Sequence, residues 1–208
     1  MKDVYICSNP IVFDNLSILR NKDSSTSNFR RALDIISKAL VYEASKELSL
    51  KEKDIFTPIS KHTSFVIDDE IVIIPILRAG MGMLDAALSF YKDASVGYVG
   101  VKRNEKTLMP MPYYENLPVM SEKSVVFVLD PMLATGGSIN YALDVLKQKK
   151  VKKIVVLSVV GVNEGINLIK KHHPDVSIYL AALDERLNEV GYIVPGLGDC
   201  GDRLNKTE

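Results

Sequence analysis

Apolar positions along this chain follow two rhythms. Over residues 28–48, NFRRALDIISKALVYEASKEL, the residues Phe29, Leu33, Ile36 and Leu40 recur at helical spacing and charged residues fill the opposite face. Ser24 to Ser27 supply candidate caps upstream, so the stretch predicts an amphipathic helix. Elsewhere the apolar residues run together. IVIIPI (71–76), SVGYVGV (95–101), SVVFVL (124–129), KIVVLSVVG (153–161) and VSIYLAA (176–182) predict buried strands. Helical stretches lie between them: MGMLDAALSFY, SINYALDVLKQKK and EGINLIKKHH. This alternation predicts an α/β fold, a parallel sheet with helices on both faces. SLKEKDIFTPIS (49–60) is polar, is broken by Pro58, and reads as a connection.

Two segments depart from the alternation. Residues 102–118, KRNEKTLMPMPYYENLP, are polar and carry three prolines. There Pro110 and Pro112 alternate with Met109 and Met111 ahead of Tyr113 and Tyr114, which suits an extended ribbon with an apolar side, a flap. The tail from 184 to 208 holds YIVPGLGDCGD, with three glycines and a proline in eleven residues, and reads as a terminal hood. No linker or internal repeat is visible, so residues 1–208 are expected to form a single domain.

Composition narrows the function classes. Lys and Arg balance Asp and Glu at 26 each, so no global basic field attracts nucleic acid. The one basic run, KQKKVKK (147–153), falls where a helix should end, a place that lysines favour. No run approaches the roughly 20 apolar residues of a membrane span. The N-terminus lacks the apolar core of a signal peptide, and Cys7 and Cys200 make no disulfide framework. A cytoplasmic protein is expected.

In parallel sheets ligands bind beyond the carboxyl ends of the strands. Those ends carry LRAG, KRNEK and DPMLATGGS. The last joins a predicted strand to a helix starting near Ser138. Free N–H groups and the helix dipole favour an anion there. Gly136 and Gly137 permit close backbone approach, and Thr135 and Ser138 add hydroxyl donors. Asp130 repels a phosphate but suits vicinal sugar hydroxyls. No Gly-Lys-Ser/Thr follows, so this is not a Walker loop.

VVFVLDPMLATGGS resembles the phosphoribosyl-diphosphate loop of the type I phosphoribosyltransferases. Its Asp-Pro pair, where most of that superfamily has two acids, is the form seen in the uracil phosphoribosyltransferase family. PILRAGMGM, RNE and GYIVPGLGDCGDR extend the likeness in the family order. The resemblance implies that uracil and phosphoribosyl diphosphate (PRPP) give UMP and diphosphate. It implies that Arg78, Arg103, Asp130, Pro131, Met132, Leu133, Ala134, Thr135, Gly136, Gly137, Ser138 and Asp199 bind PRPP. Ile193, Gly198, Asp199 and Cys200 would contact uracil, with Asp199 and Arg103 as catalytic groups.

Magnesium would arrive on PRPP, with no direct protein ligand; the histidines His62, His172 and His173 form no zinc pattern. The family also implies a homodimer or larger homo-oligomer and, in some members, activation by GTP. The chain departs from the family pattern at Lys102, where Tyr is common, and at Cys200, where Ala is typical. It also lacks the Phe-Gly expected before Thr207. Two rivals are a nucleotide-sensing RNA-binding regulator on the same fold and a transferase for another nucleobase. A basic face would favour the first; the base loop speaks against a purine enzyme.

Overall fold

A computed structural model of the chain describes residues 3–103 and 110–207, with the backbone alone for Arg103 and Pro110. Strand β1 (Val4–Ile6) leads into helices α1 (Pro10–Arg20) and α2 (Thr26–Ala44), then a hairpin of β2 (Leu50–Phe56) and β3 (Lys61–Ile67). Next come β4 (Glu70–Leu77), α3 (Met81–Phe90), β5 (Ser95–Val96), β6 (Tyr98–Arg103) and β7 (Pro110–Asn116). They are followed by β8 (Ser124–Leu129), β9 (Met132–Leu133), α4 (Gly137–Lys147), β10 (Lys153–Gly161), α5 (Asn163–His172) and β11 (Ser177–Leu183). The chain closes with β12 (Arg186–Leu187), β13 (Ile193–Val194) and α6 (Cys200–Asn205).

The main sheet has the order β1-β11-β10-β8-β4-β6-β7. Its pairings are parallel except for β6 with β7, where the flap ribbon turns back antiparallel. Strand residues alternate between two apolar layers. Ile73, Phe127 and Leu157 pack towards α1, α2 and α3, against Leu16, Leu33, Ile36 and Met83. Ile74, Val128 and Val156 pack towards α4 and α5, against Ile139, Leu143, Ile166 and Ile169. The expected α/β architecture is therefore present, with helices on both faces.

Local chemistry sets the helix boundaries. Asn9 accepts the N–H of Ile11 at 2.9 Å, and Pro10 opens α1, where its missing N–H has no partner to lose. Ser25 caps α2 through the N–H of Asn28. His172 ends α5 and His173 is its C-cap.

The sequence reading is corrected at residues 49–60. They belong to a hairpin paired from Leu50↔Ile67 to Phe56↔Lys61. Pro58 sits in its turn, where Thr57 Oγ1 accepts the N–H groups of Ile59 and Ser60. Proline breaks no strand there because its fixed φ suits a turn. The hairpin leaves Phe56 83% and Ile59 95% exposed. Strand β1 and helix α1 were also unread, since three strand residues and an undecorated helix give little periodicity.

The position given to glycine in the resembling family is Lys206, and it adopts φ 55° as the C-cap of α6. A left-handed conformation disfavours any residue with a Cβ. Lys206→Gly is expected to raise stability by about 0.5–1 kcal/mol, after the larger chain entropy of glycine is subtracted. Urea unfolding followed by circular dichroism measures it; a loss of stability would refute the assignment.

Candidate active site

Register carries the strand ends to one edge. Pro75 of β4 pairs with Leu129 of β8, and Leu129 pairs with Leu157 of β10. Arg78 and Asp130, just past β4 and β8, therefore emerge side by side. They line a cleft of about 240 Å³. The same cleft is lined by Met132, Ala134, Thr135, Gly136, Gly137 and Ser138, and across from them by Ile193, Gly198, Asp199 and Cys200. Segments distant in sequence thus meet on one cleft. Tyr192 also lines the cleft and was not singled out.

Two residues of the loop do not line it. Pro131 is buried with its carbonyl accepting from the N–H groups of Val159 and Val160. Leu133 is fully buried and its carbonyl accepts from Val162. Through β9, paired to β10, these two fasten the loop to the sheet while their neighbours face the cleft. Arg103 ends β6, but its side chain lies outside the described residues, as do residues 104–109 of the flap.

Gly136 caps α4 with φ 82° and no side-chain hydrogen bond. The first N–H groups of α4 are thus left for a ligand, and the helix dipole adds partial positive charge. The loop is pressed against α5. A Cβ on Gly165 would lie 2.4 Å from the carbonyl oxygen of Ala134, and one on Gly136 would lie 3.0 Å from the carbonyl oxygen of Gly165. Gly165 was missed because its partner is remote in sequence and it sits in an ordinary helix.

Burial pushes the Asp130 carboxyl up to about 7, opposed only partly by the N–H of Met132, which donates to it at 3.2 Å. Burial likewise raises the Cys200 thiol well above its ordinary range. Cys200 is 2% exposed and stays protonated, a small filler rather than a nucleophile. Asp199 caps α6: its Oδ1 accepts the N–H of Asp202 at 3.0 Å.

The hood is held by side chains that the sequence reading did not select. Arg20 donates through Nη1 and Nη2 to the two carboxylate oxygens of Asp184, at 2.8 and 2.5 Å. Asp184 also accepts the N–H of Gly196 at 2.9 Å, and Arg20 donates to the Gly196 carbonyl at 2.8 Å. Arg203 donates to the carbonyls of Leu19 and Leu197 and lies 4.3 Å from the Phe29 ring centre. Gly196 and Gly198 take φ values of 61° and 79° between these anchors. Asp184 directly follows β11, as Asp130 directly follows β8.

Asp130 sets a pH dependence. Its folded-state value is raised, so between the usual carboxylate range and about 7 the folded chain holds more protons than the unfolded one. Stability from this group therefore declines as pH rises through that window. Asp130→Asn is expected to raise the thermal midpoint by a few degrees at pH 8 and by less at pH 5. Calorimetry at the two pH values checks the difference; an equal shift at both would refute it.

A profile of the uracil phosphoribosyltransferase family matches residues 6–207. Uracil phosphoribosyltransferases of Bacillus cereus (strain B4264) and Bacillus anthracis (strain CDC 684 / NRRL 3495) are each 44% identical to the chain over 209 residues, covering all of both sequences. The solved structure of the AQ2163 protein from Aquifex aeolicus superposes with a TM-score of 0.94 at 39% identity, over 99% of each chain. The loop, the cleft and the whole length of the sequence agree: the chain belongs to the uracil phosphoribosyltransferase family.

Proposed function

We infer that this chain transfers the phosphoribosyl group of PRPP to N1 of uracil, releasing diphosphate and forming UMP. The observation that carries the reading is the convergence on one cleft of the uncapped start of α4, Asp130, Arg78 and the glycine-rich hood. The N–H groups of residues 136–138 suit the 5′-phosphate, with the Thr135 and Ser138 hydroxyls as added donors. Asp130 suits the ribose hydroxyls, and their hydrogen bonds favour its ionised form. Arg78 suits the diphosphate, as does Arg103 by family resemblance.

In the reaction the C1–O bond to diphosphate breaks, the N1–C1 bond forms and the N1 proton departs. Positive charge grows on the sugar while negative charge grows on the leaving group. Arginines fixed at the diphosphate end stabilise that separation. Uracil shows acceptor, donor and acceptor along one edge, which main-chain groups around Ile193, Gly198 and Cys200 suit; cytosine would oppose a donor to a donor. Asp199 Oδ1 is occupied in capping α6, so the N1 proton or a magnesium contact falls to its other oxygen.

Among the described residues no cluster of three His, Cys, Asp or Glu side chains stands ready for a metal. Asp130 and Asp199 on the cleft wall fit an ion that arrives on PRPP. Magnesium, when bound, neutralises charge on the diphosphate.

The exposed Phe56, Ile59 and Phe65 of the hairpin favour self-association into at least a dimer. Among the described residues no helix is long and apolar enough to cross a membrane, and a cytoplasmic setting accords with two free thiols. The RNA-binding alternative is disfavoured at its own best signal. Within KQKKVKK, Lys147 pairs with Asp175, Lys152 with Asp69 at 2.5 Å and Lys153 with Glu47.

The purified chain is expected to form UMP from uracil and PRPP in the presence of magnesium, with cytosine and hypoxanthine inert. The same assay with and without GTP reads activation. Turnover of a purine and not uracil would sink the assignment. Gly165→Ala, which forces the Ala134 carbonyl away, is expected to raise KM for PRPP by about tenfold, some 1.4 kcal/mol, while KM for uracil stays within about twofold. Equal changes in both constants would count against a specific link from α5 to the phosphate loop.

A further inference from the structure

Arg78 is fixed at its backbone and exposed along its side chain. Gly80 N–H donates to the Ile76 carbonyl at 2.9 Å, and a Cβ on Gly80 would lie 2.3 Å from the Leu129 carbonyl oxygen, so the turn is clamped onto the sheet. The side chain, in contrast, is 58% exposed. An exposed arginine loses rotamer entropy when a ligand fixes it. A site that must grip a diphosphate gains from having that loss met beforehand.

One carboxylate on the hood does this. Arg78 Nη2 donates to Asp202 Oδ1 at 3.1 Å. Asp202 is itself well held: its side chain is 19% exposed, its N–H is bound by Asp199 Oδ1 at 3.0 Å, and the Thr207 hydroxyl donates to Asp202 Oδ1. The short helix carrying it is anchored in turn, with Arg30 Nε donating to the Leu204 carbonyl at 2.9 Å. Gly201 leaves the passage open, since a Cβ there would stand 3.9 Å from Arg78 Nη2 and 3.2 Å from Asp199 Oδ1. Among the described residues this bond engages Nη2 of Arg78, and the fork of the remaining guanidinium donors suits phosphate oxygens.

We propose that Asp202 is a positioning residue that presets the Arg78 guanidinium for the diphosphate of PRPP and ties it to the base-reading hood. The inference rests on the transferase reading above. The two carboxylates three residues apart divide the work: Asp199 faces the cleft and caps the helix, while Asp202, held by that cap, steers the arginine. Exposed ion pairs contribute little to stability, so the pair is too weak to be a fold anchor and its effect lies in binding. The opposite sign is physically available: a carboxylate beside an anion site also repels the ligand, and removing it would then tighten binding.

The test uses the full chain with Asp202→Asn, Asp202→Glu and Arg78→Lys. Asp202→Asn is expected to raise KM for PRPP about tenfold while KM for uracil and the thermal midpoint hold, and Asp202→Glu recovers part of the loss. In the Arg78→Lys background Asp202→Asn should add less than about twofold, because the two act as a unit. Titration calorimetry with inorganic diphosphate and magnesium gives a readout independent of turnover: the Asn variant should bind it about tenfold more weakly, with ribose 5-phosphate affinity unchanged. If the chain fails to make UMP yet this diphosphate difference holds, the transferase reading fails and the positioning role stands. Unchanged or tighter diphosphate binding, full additivity with Arg78→Lys, or equal loss of every ligand together with a lower thermal midpoint would each overturn it.

Discussion

A sheet sealed on both faces leaves polar chemistry no place but its ends. In this chain β8 is buried at every residue, and its neighbours β4 and β10 contribute Ile73, Val155 and Leu157 with no accessible surface. Each face is closed by helices, α1 to α3 on one side and α4 and α5 on the other. An unpaired charge between those layers would be strongly destabilising. Polar groups therefore gather where the strands stop, and the parallel register makes β4 and β8 stop together. Arg78, Asp130 and the start of α4 owe their proximity to that register.

The opposite wall of the cleft is built on another principle. The hood has little regular structure, only the two-residue strands β12 and β13 and six residues of α6. Arginine supplies what secondary structure does not. Arg20, Arg30 and Arg203 reach across from or into the hood and satisfy main-chain carbonyls of Gly196, Leu204, Leu19 and Leu197. Such bonds let main-chain amides stay fixed without a ladder. The base recognition by backbone groups proposed above would demand that rigidity, because a loose loop would lose its donor and acceptor order.

Much of this was legible before any coordinates. Runs of Val and Ile marked the strands, and Thr-Gly-Gly-Ser after Leu129-Asp130 marked the joint from β8 to α4, because both signals are local. The hairpin escaped because Lys51 to Asp54 in β2 show no apolar alternation and Pro58 looks like a breaker until its turn is seen. Gly165, Asp184 and Asp202 escaped for a different reason. Each acts on a partner in another segment, such as Ala134, Arg20 or Arg78, and single-sequence patterns carry no distance information. Pro131 and Leu133 show the converse: the motif includes them, yet their carbonyls serve β10 and the loop behind it.

The raised affinity of Asp130 for a proton reaches beyond stability. An empty cleft near neutrality holds that acid partly protonated, whereas sugar hydroxyls donating to it call for the bare carboxylate. On the proposed reading, loading the sugar would then expel hydrogen ions into the surrounding medium. The heat recorded on loading would depend on which buffer takes them up, and the sugar would be held more firmly in mildly alkaline than in mildly acidic solution.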